Sequence, residues 1–191
     1  MALHPSLLLG KAEPSDGKAV NEYLRTIYAN ERHLITRIEE VTFGPTAQRK
    51  WIRDKMDNPL TTILLVKDLS RGEKLVGMLD SWTDSRARVH HVTSFGMSVH
   101  ADYRRKGIGR ALLEAFSNWV AEHSTLEKIE LHVHSDNLGA QKLYDGMGFV
   151  QEGIRKEAVR YEDGRVVDDV LMACWPGRPR TYGADGTLSG T

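Results

Sequence analysis

The chain has 191 residues, in which 26 Lys and Arg residues are balanced by 26 Asp and Glu residues. This length fits one domain with small extensions, and 40% apolar with 27% charged residues excludes a disordered or collagen-like chain. Balanced charge gives no long-range attraction to nucleic acid or to an anionic membrane. The single cysteine, Cys174, excludes an internal disulfide. Since apolar runs are far shorter than the about 20 residues of a membrane-spanning helix, we expect a cytoplasmic protein with no nucleic-acid or membrane partner.

The first half of the sequence predicts two helices among four strands. One helix spans residues 16–30, and a second begins at a Thr46 cap and ends at Asn58-Pro59. The stretch at 31–44 has no clear periodicity and is a candidate functional loop or short helix. Gly96 indicates a bulge or a close approach of the backbone. The predicted strands cover residues 3–12, 60–68, 74–82 and 88–99.

The second half continues with two helices and three strands. Apolar residues recur at helical spacing over 107–123, and a shorter helix runs from a cap at Ser135 or Asp136 to Gly146. The resulting order, β-α-α-β-β-β-α-β-α-β-β, indicates a mixed sheet with helices on both faces. Residues 1–175 are predicted to form one domain, and 176–191 a mobile tail. The strands of this half cover residues 128–134, 149–160 and 165–174.

A basic, glycine-rich turn joins the predicted strand at 88–99 to the predicted helix at 107–123. It lies within residues 99–112 (VHADYRRKGIGRAL). A helix N-terminus presents unpaired N–H groups that bind phosphate, and Gly107 and Gly109 leave room for a pyrophosphate. A P-loop fits worse because no Ser or Thr follows a Gly-Lys pair, and a dinucleotide fingerprint fits worse because Leu112 occupies the position of its third glycine. The alternative for this motif taken alone is a helix that opens with two permissive glycines and solvated cations.

A second motif lies about 30 residues further on, within residues 136–149 (DNLGAQKLYDGMGF). Together, Arg104-x-x-Gly107-x-Gly109 and Asn137-x-x-Ala140-x-x-Leu143-Tyr144-x-x-x-Gly148-Phe149 resemble the GNAT superfamily of acyl-CoA-dependent N-acetyltransferases. The resemblance covers about residues 75–173, and the predicted element order agrees with it. It implies an α/β (α+β) fold with a mixed, mostly antiparallel sheet of about seven strands, helices on both faces and a splayed central strand pair.

The resemblance implies acetyl-CoA as co-substrate. The pantetheine arm would pair with the backbone of Met97, Ser98 and Val99, and donors near Met97 would polarise the thioester carbonyl. Asn137 matches a position that hydrogen-bonds the CoA arm, with a helix cap as the alternative. The implied pyrophosphate site consists of Arg104, Arg105, Lys106, Gly107, Ile108, Gly109 and Arg110.

Tyr144 matches the tyrosine that reaches the CoA sulfur. Its hydroxyl is a suitable donor to a departing thiolate, because a tyrosine has a reference pKa of about 10. The alternative is a core tyrosine with a hydrogen-bonded tip. The implied reaction is direct attack of a primary amine on the acetyl thioester, without a covalent enzyme intermediate. Cys174, with no apparent base beside it, is not expected to act as a nucleophile.

The sequence leaves several candidates for the general base. In the branch that acetylates ribosomal-protein N-termini, a glutamate lies on the strand before the Asn137 motif, and His132 holds that position here. A histidine titrates near neutrality and is a workable replacement. The alternatives are Glu39 or Glu40 in the irregular stretch, and more weakly Asp80 or His91.

The remaining candidates are metal and acceptor ligands. His132, His134 and the His90-His91 pair show no typical zinc-ligand spacing, so we expect no metal. Glu152-Gly153 and the segment 163–172 resemble a GNAT subgroup that acts on ribosomal-protein N-termini, free amino acids or small amines. In that subgroup Asp168 or Asp169 is a candidate to hold a substrate ammonium, although a surface charge on a hairpin is the simpler interpretation.

These features favour an acetyl-CoA-dependent N-acetyltransferase whose acceptor is a small-molecule amine such as an amino acid. The first alternative is an enzyme that acetylates a protein or peptide N-terminus. The second is a CoA-binding regulatory module without turnover, which the presence of Tyr144 argues against. The resemblance allows a homodimer, which composition does not indicate.

Overall fold

The computed structural model describes residues 3–177 and the backbone of residues 181–182 and 188–189. The strands of the main sheet are β1 (Leu7–Lys11), β2 (Ile63–Asp68), β3 (Lys74–Thr83), β4 (Val92–Val99), β5 (Lys128–His134), β6 (Val150–Arg160) and β7 (Val166–Cys174). The α-helices are α1 (Gly17–Asn30), α2 (Pro45–Asp57), α3 (Ile108–Ala121) and α4 (Leu138–Asp145). This order confirms the predicted succession of elements.

The seven strands lie in the order β1-β2-β3-β4-β5-β7-β6. Every neighbouring pair is antiparallel except β4 and β5, which run parallel. A parallel pair requires a crossover connection, and α3 supplies it. The predicted fold class, a mostly antiparallel mixed sheet with helices on both faces, is therefore confirmed.

Apolar side chains of β2 are buried on both faces of the sheet, since successive residues of a strand point to opposite sides. Leu64 and Val66 belong to the larger core, where α3 contributes Phe116. Ile63 and Leu65 belong to a second core, which is closed by α1 and α2. The sheet is thus covered on both faces, and β3 and β4 lie between two layers of helices.

The central strands β4 and β5 diverge. They pair only at their first residues, from Val92 opposite Lys128 to Ser94 opposite Glu130. Beyond this point β4 remains paired with β3 up to Val99, whereas β5 remains paired with β7. An opening therefore forms inside the sheet, as the resemblance implies.

Three local predictions are corrected. Helix α2 begins at Pro45 after a Gly44 cap, and not at Thr46, because proline is preorganised for the first helical position. Helix α4 is capped by Asn137, whose side chain accepts from the Ala140 N–H. Gly96 causes no bulge, because β4 keeps a continuous register with β3. It does not mark a close approach of the backbone either, because a Cβ there would make an ordinary contact, of 3.4 Å, with the side-chain Oδ1 of Asp80.

The predicted tail lies largely outside the described residues. Two short strands within it, β8 (Thr181–Tyr182) and β9 (Leu188–Ser189), pair with each other. The domain limit at residue 175 stays a prediction. Among the described residues, no helix has the length and apolar character needed to cross a membrane.

Candidate active site

A cleft of about 1150 Å³ opens where β4 and β5 diverge. Its walls come from the segment after α1, the ends of β4 and β5, the turn before α3, and α4. All the residues predicted to bind the cofactor line this cleft, except Lys106. His132 lines it as well, so the opening gathers most of the candidates.

The backbone of β4 presents alternate residues to the cleft. The N–H of His100 donates to the Val76 carbonyl of β3 over 2.9 Å. Along an antiparallel ladder the bonding direction alternates, so Val99 and Met97 point their N–H and C=O groups away from β3. At this level β4 has no pairing with β5. Met97 and Val99 therefore offer main-chain groups to an extended ligand arm.

Ser98 does not share this role, which corrects the sequence-based prediction. By the same alternation its backbone faces β3. Its carbonyl also accepts a hydrogen bond from the Tyr23 hydroxyl, over 2.9 Å. Ser98 lines the cleft, but only its neighbours Met97 and Val99 direct backbone groups toward an extended ligand arm.

The turn before α3 has an uncapped helix N-terminus. Gly107 is the N-cap residue, with a left-handed φ of 82° and no side-chain hydrogen bond to the helix. The first N–H groups of an α-helix have no intrahelical acceptor and attract anions. Arg105 also has a positive φ, of 60°, and strained non-glycine residues cluster at ligand sites.

Gly109 keeps space between three elements. A Cβ at this position would lie 3.2 Å from the Leu143 side chain of α4 and 3.7 Å from that of Met97 on β4. A side chain there would crowd the junction of α3, α4 and the cleft. The glycine, the free helix end and the open strand backbone together fit the diphosphate and pantetheine arm of a CoA ester.

The cations of the turn differ in their surroundings. Arg104 forms an ion pair with Glu31, a residue of the segment that follows α1. Arg110 contacts Met147 and lies 3.8 Å from Glu114. The Lys106 ammonium lies 4.7 Å from the centre of the Tyr103 ring and is the one predicted cofactor residue outside the cleft lining.

Asn137 caps a helix at the border of the cleft, and its role toward the cofactor stays a prediction. Its Oδ1 accepts the Ala140 N–H over 3.2 Å and caps α4. The residue also lines the cleft. Since the cap uses only the oxygen, the amide NH₂ group is left as a donor for a ligand.

Tyr144 projects from α4 into the core and the cleft. It is only 8% exposed, and its ring centre lies 6.1 Å from that of Phe95 on β4. Burial raises the pKa of Tyr144 to about 12. The hydroxyl is therefore protonated at neutral pH and ready to donate.

His132 on β5 is held by a buried carboxylate. Its Nδ1 lies 2.8 Å from Oδ2 of Asp169, and the Arg155 guanidinium lies 3.1 Å from the same oxygen. The His132 side chain is 48% exposed, whereas that of Asp169 is 6% exposed. Because the carboxylate accepts from Nδ1–H, Nε2 of the neutral ring is left as a proton acceptor toward the cleft.

Residues 24–149 match the sequence profile described as the acetyltransferase (GNAT) family. This match spans well over half of the chain and contains both motifs of the cleft. The chain belongs to the GNAT acetyltransferase family.

Two curated proteins of Escherichia coli (strain K12) are similar to this GNAT chain. One is the [ribosomal protein bS18]-alanine N-acetyltransferase, 32% identical over 97 residues, which cover 51% of this chain and 64% of that protein. The other is the L-amino acid N-acetyltransferase AaaT, 36% identical over 104 residues, which cover 52% of this chain and 60% of that protein. The similarity thus spans less than two thirds of either relative.

Solved structures share the fold of the GNAT chain over most of its length. An acetyltransferase of the GNAT family from Streptococcus pneumoniae superposes with a TM-score of 0.84 at 24% identity, covering 88% of this chain and 99% of that one. The structure of yncA from Salmonella typhimurium with its cofactor acetyl-CoA gives a TM-score of 0.77 at 16% identity, covering 91% and 98%. These likenesses establish the fold.

Several candidates of the GNAT chain lie outside the cleft. Glu40 is exposed, does not line the cleft, and accepts from the Arg37 N–H over 2.9 Å. Glu39 is also exposed, 3.5 Å from Arg37. Asp168 is occupied by Lys156 and by the Glu157 N–H. These carboxylates pair with nearby backbone and side-chain groups instead of lining the cleft. Their positions in the sequence do not predict this orientation.

Two further candidates are resolved by burial. Asp169, a candidate for a substrate ammonium, lines the cleft, but its Oδ2 is already 2.8 Å from Nδ1 of His132. Burial raises the pKa of the Cys174 thiol to about 12, which leaves no thiolate at neutral pH. His91 lines neither the cleft nor the second cavity. Among the described residues, no group of three or more His, Cys, Asp or Glu side chains is arranged to hold a metal.

One wall of the cleft comes from a segment that sequence reasoning predicted only as a candidate functional loop or short helix, over residues 31–44. Residues 30–35 line the opening, so all but the first of them belong to that stretch. Arg32 pairs with Asp136 at 2.7 Å, and Asp136 also accepts from the Tyr161 hydroxyl at 2.9 Å. Together with the Arg104–Glu31 ion pair, these long-range contacts place the segment over the cleft, and no local motif signals them.

Proposed function

We propose that this chain is an acetyl-CoA-dependent N-acetyltransferase that transfers an acetyl group to the primary amine of a small molecule. The main support for this proposal is the opening between β4 and β5, which exposes the backbone of Met97 and Val99 next to the uncapped N-terminus of α3. A CoA ester combines a thin amide-containing arm with a diphosphate. The two features match these two parts in one continuous cleft.

The chemistry follows from the side chains at the opening. His132 takes a proton from the acceptor ammonium or amine, with Asp169 fixing the ring tautomer. The Met97 N–H donates to the thioester oxygen, where negative charge develops. A C–N bond forms, the C–S bond breaks, and Tyr144 donates its proton to the departing sulfur. No side chain of the protein needs to be acylated.

The proposal also covers the acceptor amine, the cellular location and the oligomeric state. The name of one relative supports a free amino acid, and the name of the other supports a protein α-amine as the alternative acceptor. The His132–Asp169 pair argues against a CoA-binding module without turnover, because binding alone does not require a positioned base. A cytoplasmic location, supported by a free cysteine, and a homodimer stay predictions.

The test is a titration of acetyl-CoA by calorimetry, followed by a free-thiol release assay with a panel of amines, amino acids and short peptides. Saturable binding with amine-dependent thiol release is the expected result. Absence of acetyl-CoA binding would overturn the proposal. Binding without release for any acceptor would favour the regulatory module, and release with peptides alone would favour the protein-directed enzyme.

A further inference from the structure

A second cavity, of about 410 Å³, lies on the other side of β3 from α3. It is enclosed by α1, α2, the segment before α2, and β3, and its size is typical of small-molecule sites. Three aromatic rings line it: Tyr28, Phe43 and Trp51. Its polar groups include Gln48 and Asp80. We call it the aromatic pocket.

Asp80 connects the aromatic pocket with the cleft. It lies opposite Gly96 in the β3–β4 register, and Oδ1 of Asp80 is 3.4 Å from where a Gly96 Cβ would be. Gly96 itself lines the cleft. Gly96, which has no side chain, therefore lies between the cleft and the carboxylate that lines the aromatic pocket; we call this junction, beside Oδ1 of Asp80, the passage.

His132 lies in the same row across the sheet. The last paired residues of the parallel strands are Ser94 and Glu130, so two residues further Gly96 and His132 are level, on the same face. Asp80, Gly96 and His132 therefore follow one another across β3, β4 and β5. An amine nitrogen at the passage would therefore have a carboxylate on one side and face the candidate base across the opening between β4 and β5.

The carboxylate keeps one oxygen for a ligand. The Lys55 ammonium lies 3.7 Å from Oδ2 and also donates to the Ser81 carbonyl, whereas Oδ1 is the oxygen beside Gly96. Burial raises the pKa of Asp80, and the Lys55 charge opposes this rise. Lys55 itself does not line the aromatic pocket. The carboxylate therefore has one oxygen toward Lys55 and the other beside Gly96.

Gln48 adds a second polar contact. It is 3% exposed and lines the aromatic pocket. Its Oε1 is buried without a hydrogen-bond partner among the described residues. A buried polar atom left unpaired is costly, so its presence in an apolar wall indicates a partner supplied by a ligand.

We propose that the aromatic pocket is the acceptor site and selects primary amines with a flat apolar body carrying one hydroxyl or N–H group. The ammonium binds Oδ1 of Asp80 beside Gly96, the body packs against Trp51 and its neighbours, and the polar substituent pairs with Gln48. This inference rests on the proposed function and names the substrate class of that site. A polyamine is disfavoured because its second charge would enter an apolar space.

The experiment compares tyramine, phenethylamine and putrescine as acceptors at saturating acetyl-CoA. Tyramine differs from phenethylamine by one hydroxyl, so Gln48→Leu should remove a several-fold preference for tyramine. Asp80→Asn should raise the KM of both aromatic amines at least tenfold and leave the KM of acetyl-CoA unchanged.

Gly96→Ala, which narrows the passage without requiring a left-handed residue, should lower kcat/KM for all amines. Controls are Asp84→Asn on an exposed carboxylate and Met56→Ala on an exposed side chain of α2.

Calorimetric titration of tyramine into the protein with CoA present gives a readout besides turnover. Binding that is lost in Asp80→Asn, in a variant whose melting temperature is unchanged, supports the site. Equal use of the three amines, or tyramine binding that is indifferent to Asp80→Asn and Gly96→Ala, overturns it while the acetyltransferase proposal stands. If acetyl-CoA does not bind at all, the proposed function fails instead, and tyramine titration into the unliganded protein still decides the pocket.

Discussion

His132 and Asp169 lie on neighbouring antiparallel strands, and the ring Nδ1 of His132 is 2.8 Å from Oδ2 of Asp169. The two residues are diagonal neighbours, because β5 places His132 directly opposite Leu171. The carboxylate is buried at the sheet and the imidazole reaches into the cleft. This arrangement fixes one nitrogen of the ring and presents the other to an acceptor.

His132→Gln should reduce kcat about 100-fold or more, within the usual range for loss of a general base. Asp169→Asn should cause a smaller loss, since it disturbs the tautomer and orientation without removing the base. Asp168→Asn is the matched control on the adjacent residue, whose carboxylate pairs with Lys156. Steady-state kinetics should leave the KM of acetyl-CoA unchanged throughout. Equal activity of His132→Gln and wild type would remove His132 from the mechanism.

Tyr144→Phe should lower kcat by about 100-fold, because it removes only the hydroxyl that donates to sulfur. The ring packing against Phe95 is preserved, so the affinity for acetyl-CoA and the melting temperature should stay near wild-type values. Calorimetry and thiol release measure the two effects separately. The pKa of about 12 keeps the hydroxyl protonated well above neutrality, so no activity change from Tyr144 is expected between pH 6 and 9. Undiminished turnover in the variant would contradict the acid role.

Asn137 allows capping and ligand binding to be separated. Asn137→Asp keeps the oxygen that accepts from Ala140, so the free energy of unfolding should change little. It loses the NH₂ donor, so acetyl-CoA affinity should fall. Asn137→Ala should lose both, at a cost of about 1 kcal/mol in stability. Urea unfolding and calorimetry provide the measurements; wild-type affinity in Asn137→Asp would show that the residue is a cap alone.

The Arg104–Glu31 ion pair predicts two opposite effects on cofactor affinity. Arg104→Gln should weaken acetyl-CoA binding, whereas Glu31→Gln should strengthen it by freeing the guanidinium for phosphate. Each change should be about two- to fivefold, since half-exposed ion pairs contribute up to about 1 kcal/mol. Lys106→Gln, outside the cleft lining, is the control. Titrations at two salt concentrations should find the largest salt dependence in Glu31→Gln, and weaker binding in that variant would be the contrary result.

His134 should make the fold sensitive to mild acid. Its Nδ1 lies 2.8 Å from the Tyr161 oxygen, and burial lowers the pKa of His134, with a further lowering from His33. Protonation therefore favours the unfolded chain. The contribution to stability is complete above about pH 6.5 and is lost as the pH falls from there through the folded-state pKa. Compared with wild type, His134→Gln should show a flatter fall in unfolding free energy between pH 7.5 and 5.

The matched control is His4→Gln, on an exposed histidine. Chemical unfolding at a series of pH values should give parallel curves for this control and wild type. If His134→Gln gives the same slope as both, the buried imidazole does not govern acid stability.

The sequence predicts the elements and the cofactor half of the site because their signals are local. Apolar periodicity identifies α3, Gly107 identifies a left-handed turn that an ordinary side chain would strain, and Gly109 keeps the first turn of α3 clear of Leu143. His132 is placed by the family resemblance, through its spacing back from Asn137, the cap of the helix after β5. Each motif is local, although the resemblance needs both motifs together.

The rest depends on contacts between distant segments. Glu40 was expected near the opening, but a short helical turn directs it to the Arg37 backbone. Asp169 became a partner of His132 through pairing of β5 with β7, which sequence spacing does not reveal. The aromatic pocket likewise arises from α1, α2 and β3 together. Its aromatic residues are unremarkable in the sequence until the fold brings them to one space.

The divergence of β4 and β5 also affects how well the folded protein resists proteolysis. Where β4 and β5 diverge, backbone N–H and C=O groups of β4 face no partner strand until a ligand arm binds them. A co-substrate that binds only the folded state adds about 2.7 kcal/mol of stability at 100 times its Kd. Under the proposed function, resistance to proteolysis rises and falls with the concentration of acetyl-CoA, and the amount of folded protein follows that concentration.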